Sequence, residues 1–419
     1  MCPDRRISEH GRRDLLAATA GAATLGISGC LGSNAGNRED GRTSLSERTL
    51  RYGGVMALSG GLGSVGTPIA DAVELPGKQL DASGIEADVE WRIEDSGTTA
   101  RGGIDAMRTL VDAGYPAVAG PLGSDVTLQA VQQASIPGEV VNCSPASTTP
   151  TLSILNDRGF SFRTAPDDSL QAVVAAELAA DEHDASSVAT LHIAGDYGRQ
   201  LSGAFATSFN GEVQRQVPFS DEYEEPLATA LSDDPDLLFV VGYPADGVEI
   251  FGHYYDGYAG DETVFTTDGM MDSSLPQQVG EPMTNVYGTA PSSNGPGYDA
   301  FAEHYASEYG EDPSIFTANG YDAAAVFLLA NAAAGENDGG KIRGRMRRVA
   351  SEGGTEVTPD SLTEGVCRAA AGDPVEYRGA SSEVTFDDNG DVSGIDYEYF
   401  RYEADGIDVI EEVSPEVGA

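Results

Sequence analysis

Residues 50–81 read LRYGGVMALSGGLGSVGTPIADAVELPGKQLD, and this stretch decides the fold class. Its first part, 51–58, is apolar and predicts a buried strand, after which a glycine-rich loop follows. Residues 68–81 then show helical periodicity. The order of strand, loop and helix is typical of a parallel sheet whose faces are covered by helices.

The same alternation continues along the chain. In the first half it predicts strands at 89–94, 117–120 and 138–143 and helices at 99–113 and 126–134. After a connector at 160–164 it predicts helices at 170–181 and 198–209 and strands at 188–193, 213–219, 237–241 and 264–267. Long helices at 298–309 and 315–334 and a short β tail at 384–410 follow. We therefore predict an α/β protein with two doubly wound lobes that divide near Thr164.

The charge balance is strongly acidic. The 419 residues include 68 Asp plus Glu against 24 Lys plus Arg, a formal net charge of −44. The acids are spread along the chain, which indicates a solvated surface of the halophilic type rather than a patch for a basic partner. Nucleic-acid binding is disfavoured, because the single basic run at 341–348 has helical spacing and no other basic stripe exists.

The N-terminus has the pattern of an export signal. Residues 12–30 read RRDLLAATAGAATLGISGC. They contain a twin arginine, a short apolar run and small residues directly before Cys30. The run is too short to span a bilayer. It resembles a twin-arginine signal fused to a lipobox, which implies cleavage before Cys30 and lipidation of its thiol. Residues 31–48 are polar and glycine-rich, which predicts a flexible tether between membrane and domain.

Metal, cofactor and redox motifs are absent from the sequence. Cys2, Cys30, Cys143 and Cys367 contain no CxxC pair, and the five histidines lack metal-ligand spacing. The acids at 387–391 surround a DNG that predicts a tight turn, because the spacing and distal glutamate of a calcium loop are missing. We therefore predict neither a metal nor a cofactor.

One motif suggests an enzyme. Gly61–Gly66 read GLGSVG, match GxGxxG, follow a strand and precede a helix, as in a dinucleotide-binding site. Ser59 and Gly60 intervene before the first motif glycine, and a chain with 52 glycines produces chance matches. No GxSxG, Walker or HExxH motif is present. An NAD-type enzyme therefore stays only an alternative to a non-enzymatic protein.

Six short segments together carry a family resemblance. They are 58–60 (LSG), 119–124 (AGPLGS), 144–150 (SPASTTP), 162–164 (FRT), 195–198 (GDYG) and 385–391 (TFDDNGD). In this order, from about residue 50 to 413, they resemble the branched-chain amino-acid-binding proteins of the type I periplasmic-binding fold, the substrate-binding proteins of ABC transporters. The resemblance implies three crossings between the lobes. Mapped onto this chain, lobe 1 takes 49–165 plus 291–375, and lobe 2 takes 166–290 plus 376–413.

The resemblance also implies a ligand site. Ser124 and Thr148 match hydroxyl donors to an α-carboxylate, and Ala146 matches a residue that contributes backbone contacts. The start of one helix near Ser124 and of another at Pro150 suits an anion, although ordinary helix caps would use the same residue types. In lobe 2, Tyr197 and Tyr243 match the flanking aromatic positions. Asp268 matches the acid that pairs with the ammonium, although an Asp-Gly after a strand is often only a turn.

The sequence departs from the family at two positions, which affects the ligand. Val65 stands where the family has an aromatic residue, and Asp268 replaces a longer glutamate. The ligand is therefore either an amino acid or an amide or urea-like compound. We expect a monomeric lipoprotein on the extracellular face of the membrane that serves an ABC permease. The alternative is a sensory ectodomain that signals through a separate membrane protein.

Overall fold

The computed structural model of the protein describes residues 44–415. Its strands are β1 Thr49–Met56, β2 Asp88–Asp95, β3 Ala117–Ala119, β4 Val141–Ser144, β5 Ser161–Arg163, β6 Ser187–Ile193, β7 Glu212–Phe219, β8 Leu237–Val241, β9 Thr263–Thr267, β10 Val286–Pro291, β11 Thr355–Val357, β12 Val375–Tyr377, β13 Tyr397–Glu403 and β14 Gly406–Val413. Its α-helices are α1 Gly63–Ala82, α2 Ala100–Asp112, α3 Ser124–Ala130, α4 Asp168–Asp181, α5 Asp196–Ser208, α6 Glu224–Ala230, α7 Pro244–His253, α8 Leu275–Val279, α9 Tyr298–Tyr309, α10 Thr317–Ala334, α11 Gly339–Val349 and α12 Leu362–Ala371.

The strands form two large sheets and one small one. The first sheet has the order β2-β1-β3-β4-β5 and is parallel throughout. The second has the order β14-β13-β10-β9-β8-β6-β7, in which β13 and β14 are antiparallel additions to a parallel core. Strands β11 and β12 pair separately. The predicted α/β fold is confirmed, and the predicted β tail is present from residue 397 onward as β13 and β14.

Three segments connect the two large sheets. We call residues 164–167 the first connection, 292–297 the second and 378–396 the third. Helices α9 to α12 follow the second connection, and their buried side chains join the core of the first sheet. The chain then returns to the second sheet at β13. This topology confirms the two doubly wound lobes and the three crossings, whereas the residue bounds given above for each lobe stay a prediction.

Burial explains why these segments adopt these elements. Strand β8 reads LLFVV and is buried at every position, as expected for a strand covered by helices on both faces. Helix α10 is rich in alanine and leucine and is buried on nearly all sides, in the centre of the first lobe. By contrast, the only side chains other than a glycine that α11 buries are those of Ile342, Met346 and Val349, so the basic run forms the outer face of an amphipathic helix.

The elements differ from the prediction in several places. Helix α1 begins at Gly63, one turn before residue 68, because the Gly66 N–H already donates to the Leu62 carbonyl at 2.8 Å. Helices α6, α7, α8 and α12 and strands β5, β10, β11 and β12 were not predicted. Residues 384–396 are not a strand, since they pack as the third connection and contain only the Phe386–Val392 bridge. That bridge encloses the predicted DNG turn, where Gly390 has a φ of 87°.

Two further findings concern the N-terminal segment and the cysteines, whose pairing the sequence leaves open. The twin-arginine signal, Cys30 and most of the tether lie outside the described residues. Residues 45–47 form a short 3-10 turn, after which Arg48 donates two hydrogen bonds to Asn331. A Cys143–Cys367 disulfide is not formed, because Cys143 is a free thiol buried in β4. Within residues 44–415 no helix has the length and apolar composition of a membrane span.

Candidate ligand-binding site

The six residues implied by the resemblance come from the carboxyl ends of strands in both sheets. Ser124 follows β3, and Ala146 and Thr148 follow β4. In the second lobe, Tyr197 lies in the first turn of α5 after β6, Tyr243 directly precedes α7 after β8, and Asp268 follows β9. Ligands of doubly wound proteins bind at this edge of a parallel sheet, because the loops and helix starts converge there.

All six residues line one cavity between the two lobes. The full lining is Leu62, Val65, Leu122, Gly123, Ser124, Ala146, Thr148, Tyr197, Tyr243, Asp268, Gly269 and Phe316. The space between these residues is about 390 Å³ if gaps that reach solvent are included, but the centre of a water-sized sphere can reach only about 20 Å³. The smaller figure describes the enclosed space, and it is close to what a single water needs. A ligand larger than water therefore needs the lobes to stand further apart than they do in this conformation, and they can then close on it less tightly.

Direct hydrogen bonds across the cleft hold the two lobes together. The Thr149 hydroxyl donates to the Asp196 carboxylate at 2.5 Å, and the Asp196 N–H donates to the Asp125 carboxylate at 2.8 Å. Asp125 lies in α3 of the first lobe, whereas Asp196 is the first residue of α5 in the second. The described conformation is therefore closed.

The first-lobe wall offers hydroxyl groups. Ser124 is the first residue of α3, and its Oγ accepts a hydrogen bond from the Thr149 N–H at 3.3 Å. Ser124 does not cap the helix, since Gly123 precedes it with a φ of 79°. The expected second helix start at Pro150 is only a three-residue 3-10 turn, capped by the Thr149 side chain. The side chains of Ser124 and Thr148 therefore carry most of the polar character of this wall.

The second-lobe wall combines two aromatic rings with a carboxyl group. The rings of Tyr197 and Tyr243 are parallel within 2°, with centroids 5.7 Å apart. The hydroxyl groups of Tyr197 and Thr267 are 3.0 Å apart and hydrogen-bonded. Asp268 is 4% exposed, and its Oδ1 has no hydrogen-bond partner among the described residues. Burial raises the pKa of Asp268 to about 6. Hydrogen bonds act in the opposite direction and lower this pKa, but the effect of burial is larger.

A second buried carboxyl group near this wall was missed by the sequence analysis. Asp168 opens α4, is 1% exposed, and has no hydrogen-bond partner for either carboxyl oxygen within the described part of the chain. Burial raises the pKa of Asp168 well above its ordinary value, and the negative charge of Asp268 raises it further. The sequence did contain a signal for Asp168. Two acids stand at the start of α4, but only Asp167 is needed to cap the helix.

The remaining lining is apolar, and sequence reasoning missed most of it. Leu62, Val65, Leu122 and Phe316 form this part of the wall. Phe316 directly precedes α10 with a φ of 61°, a conformation that is unusual for a bulky residue. No local sequence signal marks Phe316, because its exposure to the cavity depends on the packing of α10 against the first sheet.

Comparisons with known proteins agree with this arrangement. Residues 49–363 match the family model described as "Periplasmic binding protein". The chain is 27% identical over 293 residues to the chemotactic signal transduction system substrate-binding protein BasB of Halobacterium salinarum, covering 67% of this chain and 68% of BasB. It is 22% identical over 375 residues to the Leu/Ile/Val-binding protein BraC3 of Rhizobium johnstonii, covering 86% and 93%.

A solved structure supports the fold independently. The leucine-binding protein LivK of Thermotoga maritima superposes with a TM-score of 0.73 at 21% identity, covering 88% of this chain and 99% of LivK. The family model spans most of the chain, and the two-lobed architecture is that of LivK. The chain therefore belongs to the periplasmic binding protein family, whose members are solute-binding proteins of the extracytoplasmic space.

Proposed function

We propose that this protein binds an aliphatic α-amino acid between its two lobes and delivers it to an ABC importer. The observation that carries the proposal is the composition of the closed cavity. Hydroxyl groups line the first-lobe wall, and a buried carboxyl group lies on the second. A zwitterion places an anion and a cation on one carbon atom, so it can satisfy both walls when the lobes close.

Each part of such a ligand has a counterpart in the cavity. Ser124 and Thr148 would donate to the carboxylate, and Asp268 would accept from the ammonium group. The apolar wall of Leu62, Leu122 and Phe316 suits an aliphatic side chain, because burying apolar surface there contributes affinity without further polar contacts. The names of BraC3 and LivK, which refer to Leu/Ile/Val and leucine, support the same ligand class.

The experiment is a calorimetric titration of the full chain in molar salt with L-leucine, L-isoleucine and L-valine. Asp268→Ala should weaken binding by about a hundredfold or more, because a buried unpaired ammonium costs roughly 3–5 kcal/mol. Ser124→Ala should weaken it by about tenfold, the value of one hydrogen bond. Asp236→Ala is the control, since Asp236 hydrogen-bonds Ser186 and Ser187 away from the cavity.

Two results would contradict this proposal. If none of the three amino acids binds to the wild type, the ligand class is wrong. If Asp268→Ala binds as tightly as wild type, Asp268 does not pair with an ammonium group, and an amide or urea-like ligand becomes the better hypothesis.

A second candidate function rests on the relative BasB, whose name places it in a chemotactic signal transduction system. In that case the closed protein would dock on a membrane signalling protein instead of a permease. Deletion of the gene separates the two functions. Loss of labelled leucine uptake supports the importer, whereas normal uptake with loss of chemotaxis towards leucine supports the sensor.

A further inference from the structure

Arg163 is the last residue of β5, and its side chain is only 1% exposed. It does not line the cavity. Its Nε donates to the Asp391 carboxylate at 2.6 Å, and its Nη2 donates to the Asp167 carboxylate at 3.1 Å and to the Ser153 hydroxyl at 2.8 Å. One buried guanidinium therefore joins the segments around residues 153, 167 and 391.

Two of these segments are lobe connections. Asp167 belongs to the first connection and immediately precedes Asp168, whereas Asp391 belongs to the third. The backbone reinforces the second link, since the Arg163 N–H donates to the Gly390 carbonyl at 3.0 Å. The first and third connections are thus tied to the same side chain.

Arg163 also holds the loop that carries two cavity residues. Its Nη1 donates to the Ser147 carbonyl at 3.3 Å and to the Thr149 carbonyl at 3.0 Å. These carbonyls flank Thr148, which lines the cavity. The Thr148 carbonyl in turn accepts from the Asp168 N–H at 2.9 Å. Three consecutive carbonyl groups are therefore occupied, and the backbone of the loop has little freedom to move Thr148 away from the cavity.

Lysine cannot reproduce this set of contacts. A guanidinium presents five donors in a rigid plane, whereas an ammonium is a compact point charge with three donors. Arg163 uses its donors on two carbonyls, one hydroxyl and two carboxylates, which lie in different directions. Arg163→Lys keeps the buried positive charge but leaves several of these partners without a donor.

We propose that Arg163 is the positioning residue of the ligand site: it fixes the loop of Ala146 and Thr148 and couples that loop to the first and third connections. The consequence of this proposal is that ligand affinity depends on a side chain that does not contact the ligand, and this consequence rests on the proposed function. Closing the lobes moves the connections. Because Arg163 bonds to the first and third connections and to the loop of Ala146 and Thr148, the loop keeps its position relative to the connections when the lobes close.

The test compares Arg163→Lys with Arg48→Lys in the full chain at molar salt. Arg48 is the control, because it makes two partly buried hydrogen bonds to Asn331 but does not line the cavity. In Arg163→Lys, we expect amide hydrogen exchange of residues 145–153 to rise about tenfold while β1 and β3 are unchanged. L-leucine should bind about tenfold more weakly, whereas Arg48→Lys should change neither quantity.

The outcomes separate this proposal from the proposed function. If the wild type does not bind L-leucine, the ligand class fails, and the exchange measurement alone decides whether Arg163 positions the loop. Wild-type exchange at 145–153 in Arg163→Lys, or an equal loss of affinity in Arg48→Lys, overturns the proposal. If Arg163→Lys does not fold, Asp391→Ala removes only the third-connection acceptor and should produce a smaller rise in the same loop; no rise there also overturns the proposal.

Discussion

Replacing Gly66 with alanine should destabilise the protein much more than the same change at Gly61 or Gly63. These three glycines form the GxGxxG motif, which follows β1 and continues into the first turn of α1. A Cβ at Gly66 would lie 2.1 Å from the carbonyl oxygen of Ala57, a backbone atom at the end of β1. At Gly61 and Gly63 the nearest atoms are 3.8 and 3.7 Å away, which is ordinary van der Waals contact.

The magnitude follows from the displacement that this contact requires. A carbon atom rests about 3.3 Å from a carbonyl oxygen, so α1 must move by about 1 Å from β1. Overpacking of this kind costs about 1–3 kcal/mol, and we expect about 3 kcal/mol because the contacted atom is backbone and α1 is buried along one side. Alanine also lowers the conformational entropy of the unfolded chain, which stabilises the folded protein by about 0.4–1 kcal/mol. At Gly61 and Gly63, whose φ angles are not left-handed, this stabilisation is the only effect that we expect.

The assay is guanidinium denaturation in molar salt, with the free energy of unfolding obtained from the midpoint and slope. Gly66→Ala should also weaken ligand binding, because Leu62 and Val65 in the same segment line the cavity. Equal unfolding free energies for the three alanine variants would refute the packing argument. The glycine at position 66 would then need another explanation, such as close approach of a ligand.

Three further predictions concern pH, salt and anchoring. Because the pKa of Asp268 is about 6, L-leucine affinity should fall about tenfold per pH unit below that value, where the acid is protonated and cannot pair with an ammonium; equal affinities at pH 7 and pH 5 would contradict this role. With a net charge of −44, the melting temperature should rise from low to molar salt, and a melting temperature indifferent to salt would remove the self-repulsion argument. Cys30→Ser should leave the protein exported but shed into the medium, as cell fractionation can measure; unchanged membrane retention would exclude lipid anchoring at this position.

The fold was predictable because the pattern that encodes it is local. Alternating apolar strands and amphipathic helices can be recognised within windows of about ten residues, and parallel sheets follow from their order. The tight turn at 387–391 was predictable for the same reason. The β tail was only partly predictable, because residues 384–396 resemble a strand in composition but pack as the third connection between the lobes.

The candidate site was likewise only partly predictable from the sequence. The resemblance pointed to six residues, and the structure brings all six around one cavity, since the carboxyl ends of the strands converge there. Their roles stay a prediction until binding is measured. Asp168 and Phe316 were not anticipated, because their burial depends on segments that are distant in sequence.

The sequence by itself determined the order of elements, the acidic surface and the residue types available at the strand ends. Only the tertiary structure decided which of these residues meet. Arg163 illustrates the difference: in sequence it is a charged residue at the end of a short strand, and its partners at 147, 149, 167 and 391 are spread over more than two hundred positions. Whether a charge is solvated or buried among partners depends on packing between distant segments, and local sequence patterns contain no information about that packing.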